Sequence, residues 1–369
     1  MIRVVHVLTR TNIGGPSVML VDLLDGLDTR QFTQTVLRGA PVESEGDYLA
    51  GRSVNAEVIT VGGLRRSIGL AGELRSLVAL VRELRRLKPD VVHTHMAKAG
   101  VIGRIAAVIA RVPVRVHTYH GHLLHGYFSP LVTRLVVVVE RLLRRITSHA
   151  FVVGGATRTD LLQAKLVSDR TSSSIMPAAR SLSRHDRVVA RSELRLPNEG
   201  IVVGFVGRLT GVKRPDRFLK VAAALPTATH IIVGDGPLRS HIEERAGAIP
   251  NVVLRDWHRD IALVLSAIDI LVLTSDNEGV PLSLIEAATM GVPVVTTNVG
   301  SVSEIVEHGK TGFVVDSDEE LISAVSRLID DADLRASMGS TGAAHIASRC
   351  SMSRYLSAHA ETYNSLVER

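Results

Sequence analysis

Hydrophobic residues occur along this chain in two alternating patterns. Short runs rich in β-branched residues alternate with longer stretches in which apolar side chains recur every three or four positions. The runs predict strands and the stretches predict amphipathic helices, an alternation typical of βα units with a parallel sheet. In the first half the predicted strands are Val4–Leu8, Thr33–Leu37, Ala56–Val61, Asp90–Thr94, Val114–Thr118 and Ala150–Val153. In the second half they are Ile201–Val206, His230–Val233, Val252–Arg255, Ile270–Thr274, Val292–Thr296 and Gly312–Val315.

The region between the two series of strands has a different composition. Residues 168–200 are rich in serine and arginine, contain Pro177 and Pro197, and show little apolar periodicity. We therefore expect an α/β chain with two Rossmann-like sheets in series. The expected division is an N-terminal domain over 1–175, a linker over 176–198, a C-terminal domain over 199–349, and a helix over about 350–369 that packs back on the N-terminal domain.

The composition agrees with two globular domains. The 369 residues are 46% hydrophobic and 22% charged, which excludes a disordered chain. The single cysteine, Cys350, excludes an internal disulfide and a thiolate zinc site. The apolar run Val4–Leu8 is too short for a signal peptide, and the most apolar later stretch, Leu131–Ile146, contains five charged residues. We expect a cytoplasmic protein without a membrane-spanning helix.

Charge is divided unequally between the two halves. The net charge is +6, yet residues 1–200 contain 28 Lys and Arg against 16 Asp and Glu, whereas residues 201–369 contain 15 against 21. A basic half indicates a polyanionic partner such as nucleic acid, anionic lipid or a phosphorylated substrate. Aromatic residues make only 3% and do not interleave with basic stretches, so we expect no nucleic-acid partner.

The stretch Leu131–Ile146 permits two interpretations. Three arginines lie near one face of the predicted helix, and four apolar residues are available for another. The arginines are Arg134, Arg141 and Arg145, and the apolar residues are Leu135, Val138, Leu142 and Ile146. In the first interpretation the apolar face is buried and the basic face forms the exterior. In the second the helix contacts an anionic membrane, because it has both the positive charge and the apolar groups that such contact requires.

Loops after four predicted strands contain residues that could bind a ligand. Gly14 and Gly15 follow the first strand and precede a helical pattern, where backbone N–H groups can approach an anion, although a plain tight turn explains the spacing equally well. Arg208 and Lys213 share one loop and suit a diphosphate, or form a solvated basic loop. Gly234 lies in a Gly-Asp-Gly-Pro turn that opens another helix.

The fourth loop combines two glutamates with helix signals. Glu278 lies at the entrance of a predicted helix, Pro281 suits its first turn, and Gly291 suits its end. Glu286 then falls in the second turn. The two carboxylates are placed for two parts of one elongated polar ligand.

The order of these motifs resembles the retaining glycosyltransferases of family 4, which have the GT-B fold. The resemblance rests on the glycine loop, on Arg208 with Lys213, on Gly234, and on EGVPLSLIEAATMGVPVV followed by EIVEHGKTGFVV. HTHMAKAGVIGRIAA and HTYHGHLLHGYFSP in the first half also look like bacterial members. The resemblance to this family implies two domains whose sheets face each other across a deep cleft. It also implies transfer of a sugar from a nucleotide donor with retention of the anomeric configuration. No metal or other cofactor is implied.

The resemblance also implies roles for individual residues. Arg208 and Lys213 would hold the diphosphate leaving group, and Gly14 and Gly15 would border the donor phosphate and the acceptor. His120 matches the family histidine beside the reacting sugar.

In the second half, the resemblance implies that Glu278 hydrogen-bonds hydroxyls of the donor sugar and that Glu286 accepts from the ribose. Gly234 belongs to the same donor site. The backbone of four further residues would meet sugar and phosphate: Gly279, Val280, Pro281 and Leu282. The predicted catalytic residues are His120, Glu278, Arg208 and Lys213.

Two departures from the family pattern affect these expectations. Pro177 is followed by Ala178, Ala179 and Arg180, where members commonly have Asn-Gly and an Asp, and Ser301 replaces a usual glycine. The first departure affects hinge geometry and any donor contact from the linker. Neither removes a principal charged residue.

Histidines permit a metal-site alternative. His120, His122 and His125 lie close in sequence, and His93 and His95 end another strand. Three such residues could bind zinc, but no HExxH motif or cysteine supports it, so we expect no metal site.

The resemblance favours a UDP-linked hexose or N-acetylhexosamine as donor. We expect a small-molecule or lipid-linked glycan acceptor, cell-envelope or exopolysaccharide assembly as the setting, and work at the inner face of the membrane. Three alternatives stay open: natural-product glycosylation, a UDP-sugar epimerase of the same fold, and a non-catalytic nucleotide-sugar-binding subunit.

Overall fold

A computed structural model describes residues 1–41, 46–64, 69–121 and 129–368. The chain divides into two compact units. Unit 1 comprises Met1–Ala178 together with Met352–Arg369, and unit 2 comprises Ala179–Ser351. Each unit is built on one fully parallel sheet covered by helices, as the alternating pattern predicts.

The unit 1 sheet has seven strands among the described residues: β1 Ile2–Leu8, β2 Phe32–Arg38, β3 Glu57–Thr60, β4 Val91–His95, β5 Val114–Tyr119, β6 His149–Val153 and β7 Ser172–Ile175. Their order in the sheet is β3-β2-β1-β4-β5-β6-β7. Six of them overlap the predicted strands, and the seventh, β7, is an edge strand of serines whose polar sequence gives no strand signal.

Helices cover both faces of this sheet. They are α1 Gly15–Gly26, α2 Leu70–Leu87, α3 Ala97–Ile109, α4 Pro130–Leu143, α5 Gly155–Gln163 and α13 Met352–Val367. Val5 and Val7 of β1 point into a core shared with α2 and α3, whereas Leu8 packs with α1 on the opposite face. On that second face the buried Tyr355 of α13 donates to the backbone oxygen of Met19 at 2.9 Å, which attaches the C-terminal helix to α1.

Unit 2 has a six-stranded sheet, and all six strands overlap the predicted ones. The strands are β8 Val202–Val206, β9 Thr229–Val233, β10 Val252–Arg255, β11 Ile270–Leu273, β12 Val294–Thr297 and β13 Gly312–Val315. Their order in the sheet is β10-β9-β8-β11-β12-β13. The helices are α6 Arg187–Glu193, α7 Pro215–Ala224, α8 Arg239–Ala246, α9 Ile261–Ala267, α10 Leu282–Thr289, α11 Asp318–Asp330 and α12 Ala332–Arg349.

Most of the predicted linker 176–198 belongs to unit 2, where three of its arginines, Arg180, Arg187 and Arg191, have acidic partners. Residues from 179 onward belong to that unit and include α6. The fully buried Arg191 of α6 binds Asp269 at 2.8 Å, and Arg187 binds the other oxygen of the same carboxylate at 2.7 Å. A serine- and arginine-rich sequence therefore forms a packed helix here, although its composition is typical of a solvated connection.

Candidate functional site

The loop after β8 carries Arg208 and Lys213, both half-buried, just before α7. Lys213 donates its ammonium to the Oε1 of Glu278, and the Ser275 hydroxyl donates to the same oxygen at 2.6 Å. Arg208 lies five residues before this pair on the same loop. Two permanent cations and one carboxylate are thus held at the carboxyl ends of β8 and β11, where open α/β sheets bind their ligands.

The loop that carries Glu278 is almost completely buried, with Glu278 itself 9% exposed. Gly300 makes this possible, since its backbone has a positive φ of 56° and a Cβ there would lie 1.8 Å from the carbonyl oxygen of Glu278. The neighbouring Ser301 has a negative φ of −103°, so no glycine is required there. The N–H of Ser301 donates to the Gly279 carbonyl at 3.0 Å, and the departure at position 301 leaves the loop intact.

Glu286 lies in the second turn of α10, as predicted, and is 9% exposed. Its Oε1 accepts from the guanidinium of Arg180. Burial raises the pKa of the Glu286 carboxyl, and Arg180 offsets part of that rise. The residue that departs from the family pattern after Pro177 is thus the ion-pair partner of a predicted ribose ligand, a contact that no sequence signal indicated.

Gly234 packs its turn against the loop of Arg208. A Cβ at Gly234 would lie 1.9 Å from the carbonyl oxygen of Gly207, so only glycine fits this approach. Leu209 also donates its N–H to the Asp235 carbonyl at 2.9 Å. The turns after β8 and β9 therefore form one continuous backbone surface next to Arg208.

In unit 1, Gly14 is the residue before α1, and Gly15 and Pro16 open the helix. The preceding loop is held by Arg38, which donates to the Thr11 hydroxyl at 2.5 Å and to Asp47 at 2.6 Å. Burial alone would raise the pKa of Asp47, but hydrogen bonds from Arg38 and Thr11 lower it below its usual value. The helix N-terminus is thereby fixed at the carboxyl end of β1.

His120 follows β5 directly and is the last of a series of hydrogen-bonded histidines. Its Nε2 lies 3.1 Å from Nδ1 of His95, and Nε2 of His95 lies 3.3 Å from Nδ1 of His6. The Nδ1 of His120 is buried and has no hydrogen-bond partner among the described residues. Burial lowers the pKa of both His120 and His6 to about 3, so these rings are neutral at pH 7.

Three of the buried histidines also approach each other closely enough to hold a metal ion. One ring nitrogen from each of His6, His93 and His95 lies within 4.8 Å of the others. Both nitrogens of His93 are nevertheless hydrogen-bonded, to the Tyr363 hydroxyl at 2.6 Å and the Thr118 hydroxyl at 2.7 Å. A metal ion could bind there only by displacing hydrogen bonds already made. His122 and His125 lie outside the described residues.

Helix α4 exposes Leu135, Val138 and Leu142, so the interpretation that buries them is wrong, whereas Ile146, just after the helix, is half-buried. With Leu131 these three form one stripe at helical spacing, with exposed fractions of 77% for Leu131, 63% for Leu135, 53% for Val138 and 56% for Leu142. Arg134, Arg141, Arg144 and Arg145 are exposed as well. Within the described part of the chain, no helix combines the length and apolar character that a bilayer span requires.

The opposite side of α4 is held by a buried ion pair. Arg104 of α3 donates to both carboxylate oxygens of Glu140 at 2.8 Å, and the Tyr119 hydroxyl donates to Glu140 at 2.7 Å. Arg104 and Glu140 are at most 1% exposed. The sheet and α3 thereby fix which face of α4 is presented outward.

Two family descriptions match the chain and together span most of it. Residues 186–345 match the family described as Glycosyl transferases group 1. Residues 14–172 match the Glycosyl transferase 4-like domain. The first match contains the loops of Arg208, Gly234 and Glu278, and the second contains Gly14, His95 and His120 but not His6.

Relatives and solved structures agree with these matches. The chain is 28% identical over 349 residues to the UDP-Gal:alpha-D-GlcNAc-diphosphoundecaprenol alpha-1,3-galactosyltransferase of Escherichia coli, a match that covers 89% of this chain and 88% of the relative. It is 30% identical over 275 residues to the putative teichuronic acid biosynthesis glycosyltransferase TuaC of Bacillus subtilis, covering 69% of this chain and 65% of the relative. HepE of Anabaena in complex with UDP-glucose has the same fold, with a TM-score of 0.85, 24% identity, and coverage of 99% and 100%.

Proposed function

We propose that this chain, which belongs to the family 4 glycosyltransferases, transfers a hexose or N-acetylhexosamine from a UDP-sugar to a hydroxyl of a lipid-linked glycan. The observation that carries the proposal is the pairing of Lys213 with Glu278 beside Arg208 on unit 2. The anomeric configuration is retained, and the reaction needs no metal ion. The setting is the assembly of bacterial envelope or exopolysaccharide glycans, as the names of the Escherichia coli and Bacillus subtilis relatives suggest.

Departure of the nucleoside diphosphate determines what the cations must do. As the glycosidic bond breaks, negative charge builds on the diphosphate, and fixed cations stabilise it most at that moment. Arg208 and Lys213 supply this charge, and Gly279, Val280 and Leu282 supply backbone N–H groups around the start of α10. Lys213 is held in place by Glu278, so little reorganisation accompanies the reaction.

The two carboxylates bind hydroxyl groups of the donor. Glu278 is nearly buried and keeps an oxygen besides the one used by Lys213 and Ser275, which can accept from the sugar. Glu286 lies in the second turn of α10 and accepts from the ribose. In unit 1, His120 is the residue that the resemblance sets beside the reacting sugar, and its buried Nδ1 has no hydrogen-bond partner among the described residues.

A lipid-linked acceptor requires access to a membrane surface, and α4 has suitable chemistry. Its exposed apolar stripe matches the acyl layer of a bilayer. Arg134 and Arg141 of the helix, with Arg144 and Arg145 just after it, match the anionic headgroup layer. The Escherichia coli relative acts, by its name, on a diphosphoundecaprenol-linked sugar. We therefore place the enzyme at the inner face of the membrane, with α4 as the contact.

Turnover on defined acceptors tests the proposal. The purified chain is incubated in EDTA with UDP-sugars and a polyprenyl-diphosphate-linked sugar, and UDP release and product are followed together. We expect UDP release that depends on the acceptor, with an α-linked product by NMR from an α-linked donor. An inverted product contradicts the retaining mechanism. The epimer of the donor, formed without acceptor, would identify an epimerase, and a soluble aglycone as the sole acceptor would identify natural-product glycosylation.

A further inference from the structure

The parallel register of unit 1 brings four hydrogen-bonded polar side chains to one face of the sheet. They form a row in the order Gln34, His6, His95 and His120. His6 of β1 pairs in register with His93 of β4, and His95 of β4 pairs with Thr118 of β5. Because side chains two positions apart point to the same face, His95 lies beside His6, and His120 lies beyond Thr118. Gln34 of β2 reaches the same row, with its Oε1 3.2 Å from Nε2 of His6.

One backbone carbonyl determines which nitrogen carries the proton on each ring of this row. The oxygen of Leu24, near the end of α1, can only accept, so the Gln34 amide nitrogen donates to it at 2.9 Å. The amide oxygen of Gln34 is then the group that faces His6, and it can only accept. Nε2 of His6 must therefore carry the proton.

A neutral imidazole carries one proton, and this fixes the rest of the row. Nδ1 of His6 has a lone pair and accepts from Nε2–H of His95 at 3.3 Å. Nδ1 of His95 then accepts from Nε2–H of His120 at 3.1 Å. With the opposite tautomers, Nε2 of His6 would present a lone pair to the oxygen of Gln34, inside a region where an unmade hydrogen bond is costly.

We propose that Gln34, His6 and His95 are positioning residues that hold His120 with its proton on Nε2 and a bare Nδ1 that can only accept a hydrogen bond. A substrate group that meets this nitrogen must donate a hydrogen bond, as a sugar hydroxyl does. A carboxylate, which only accepts, is disfavoured at the same place. The tautomer stands on the hydrogen bonds alone, whereas the role toward substrate rests on the proposed function.

Burial supports neutral rings throughout the row. Gln34, His6 and His95 are at most 4% exposed. Burial lowers the pKa of His95 far below its ordinary value, as it does for His6. The same nitrogens cannot make these hydrogen bonds and bind a metal at once, so a zinc ion held by His6, His93 and His95 is the competing arrangement.

Nitrogen NMR of the histidine rings tests the proposal without reference to activity. The full chain is labelled with ¹⁵N-histidine, and long-range ¹H–¹⁵N spectra at pH 7.5 report which ring nitrogen carries the proton. The His120 signals are assigned by their loss in His120→Asn. We expect one tautomer for His120, protonated at Nε2 and bare at Nδ1.

Substitution of Gln34 tests the origin of this tautomer. Gln34→Met removes the amide while keeping length, and we expect His120 to become a mixture of tautomers while UDP still binds to unit 2. In Gln34→Glu, a protonated carboxyl can donate to Leu24 and accept from His6, so the single tautomer should return. The exposed Gln31→Met is the matched control and should leave the spectrum unchanged.

Three results would overturn the proposal. They are a His120 protonated at Nδ1 in the parent chain, a tautomer pattern that survives in Gln34→Met, and a stoichiometric zinc ion whose removal shifts the histidine signals. Because none of these readouts requires turnover, failure of the proposed function would leave them intact. The spectra and the transfer assay therefore fail independently.

Discussion

Lys213 and Ser275 donate to the same carboxylate oxygen of Glu278. The lysine lies in the loop after β8, and the serine and glutamate lie in the loop after β11. One oxygen thus joins two neighbouring loops at the carboxyl end of the sheet. This fixes the position of a cation next to a buried acidic side chain. A cation suits the diphosphate of a nucleotide sugar, and a carboxylate suits the hydroxyls of its sugar.

Removing the Lys213 ammonium should mainly slow the chemical step. We expect Lys213→Ala to lower kcat by about 10²–10³-fold, the usual cost of removing one electrostatic partner of the transition state. UDP-sugar turnover under saturating acceptor measures the effect. Lys220→Ala removes a half-exposed lysine of α7 that pairs with Asp318, and it should leave kcat within about twofold. Equal losses in the two variants would contradict a specific role for Lys213.

Arg180 should make nucleotide binding less sensitive to acid. Burial raises the pKa of Glu286 and Arg180 offsets part of that rise, so Arg180→Ala should leave more of the carboxyl protonated as the pH falls. A protonated Glu286 accepts less well from ribose hydroxyls. We expect the affinity for UDP to fall more at pH 6 than at pH 8 in this variant, measured by calorimetry. Arg187→Ala, which loses a pairing with Asp269 instead, is the control, and an equal loss of affinity at both pH values would contradict the explanation.

Membrane contact should depend on the exposed stripe of α4. We expect Leu135→Glu to reduce flotation with anionic liposomes about tenfold or more, since a leucine buried in an apolar layer contributes about 1.5–3 kcal/mol. Leu74→Glu on α2 is a matched control because the two leucines are 62% and 63% exposed. Binding of the parent chain should weaken with salt. Equal flotation of both variants, or indifference to anionic lipid, would contradict the membrane assignment.

The buried histidines should make the fold sensitive to mild acid. Burial lowers the pKa of His6 to about 3 and of His359 to about 4, whereas an unfolded histidine titrates near 6.5. The unfolded chain therefore binds more protons between these values, and stability falls as pH drops from 6.5 toward 4. Each such histidine contributes about 1.4 kcal/mol per pH unit.

Urea unfolding at pH 7.5, 6 and 5 measures this effect. We expect little change above pH 6.5 and a steep loss below it. His6→Asn should reduce the slope, and His308→Asn, at an exposed position, should not. A free energy of unfolding that is constant from pH 7.5 to 5 would contradict burial of neutral rings.

The two sheets could be predicted from the sequence because buried parallel strands are apolar runs, and all twelve expected runs became strands. β7 was missed because its serines, on an edge, have no apolar signal. A linker over 176–198 was predicted from its serine- and arginine-rich composition and weak apolar periodicity, whereas Arg191 within it is buried against Asp269. Local composition does not contain the acidic partner that makes burial possible.

In the candidate site, too, the sequence predicts the positions of residues in loops but not their long-range contacts. The loop positions of Arg208, Lys213 and Glu278 follow from strand ends and could be read from the chain. The partnership of Arg180 with Glu286 joins residues 106 positions apart, and the row from Gln34 to His120 crosses four strands. Such contacts depend on sheet order and register, which periodicity alone does not specify.

Titration of nucleotide sugars into the purified chain is the most direct test of the central claim, that unit 2 binds a nucleotide-sugar donor through these residues. UDP-, GDP-, ADP- and dTDP-sugars are compared by calorimetry in EDTA, with Arg208→Ala, Glu286→Ala and the control Lys220→Ala. We predict selective binding of a UDP-sugar that the first two substitutions weaken and the control leaves unchanged. Binding of no nucleotide sugar, or binding that Arg208→Ala and Glu286→Ala do not affect, would contradict the claim.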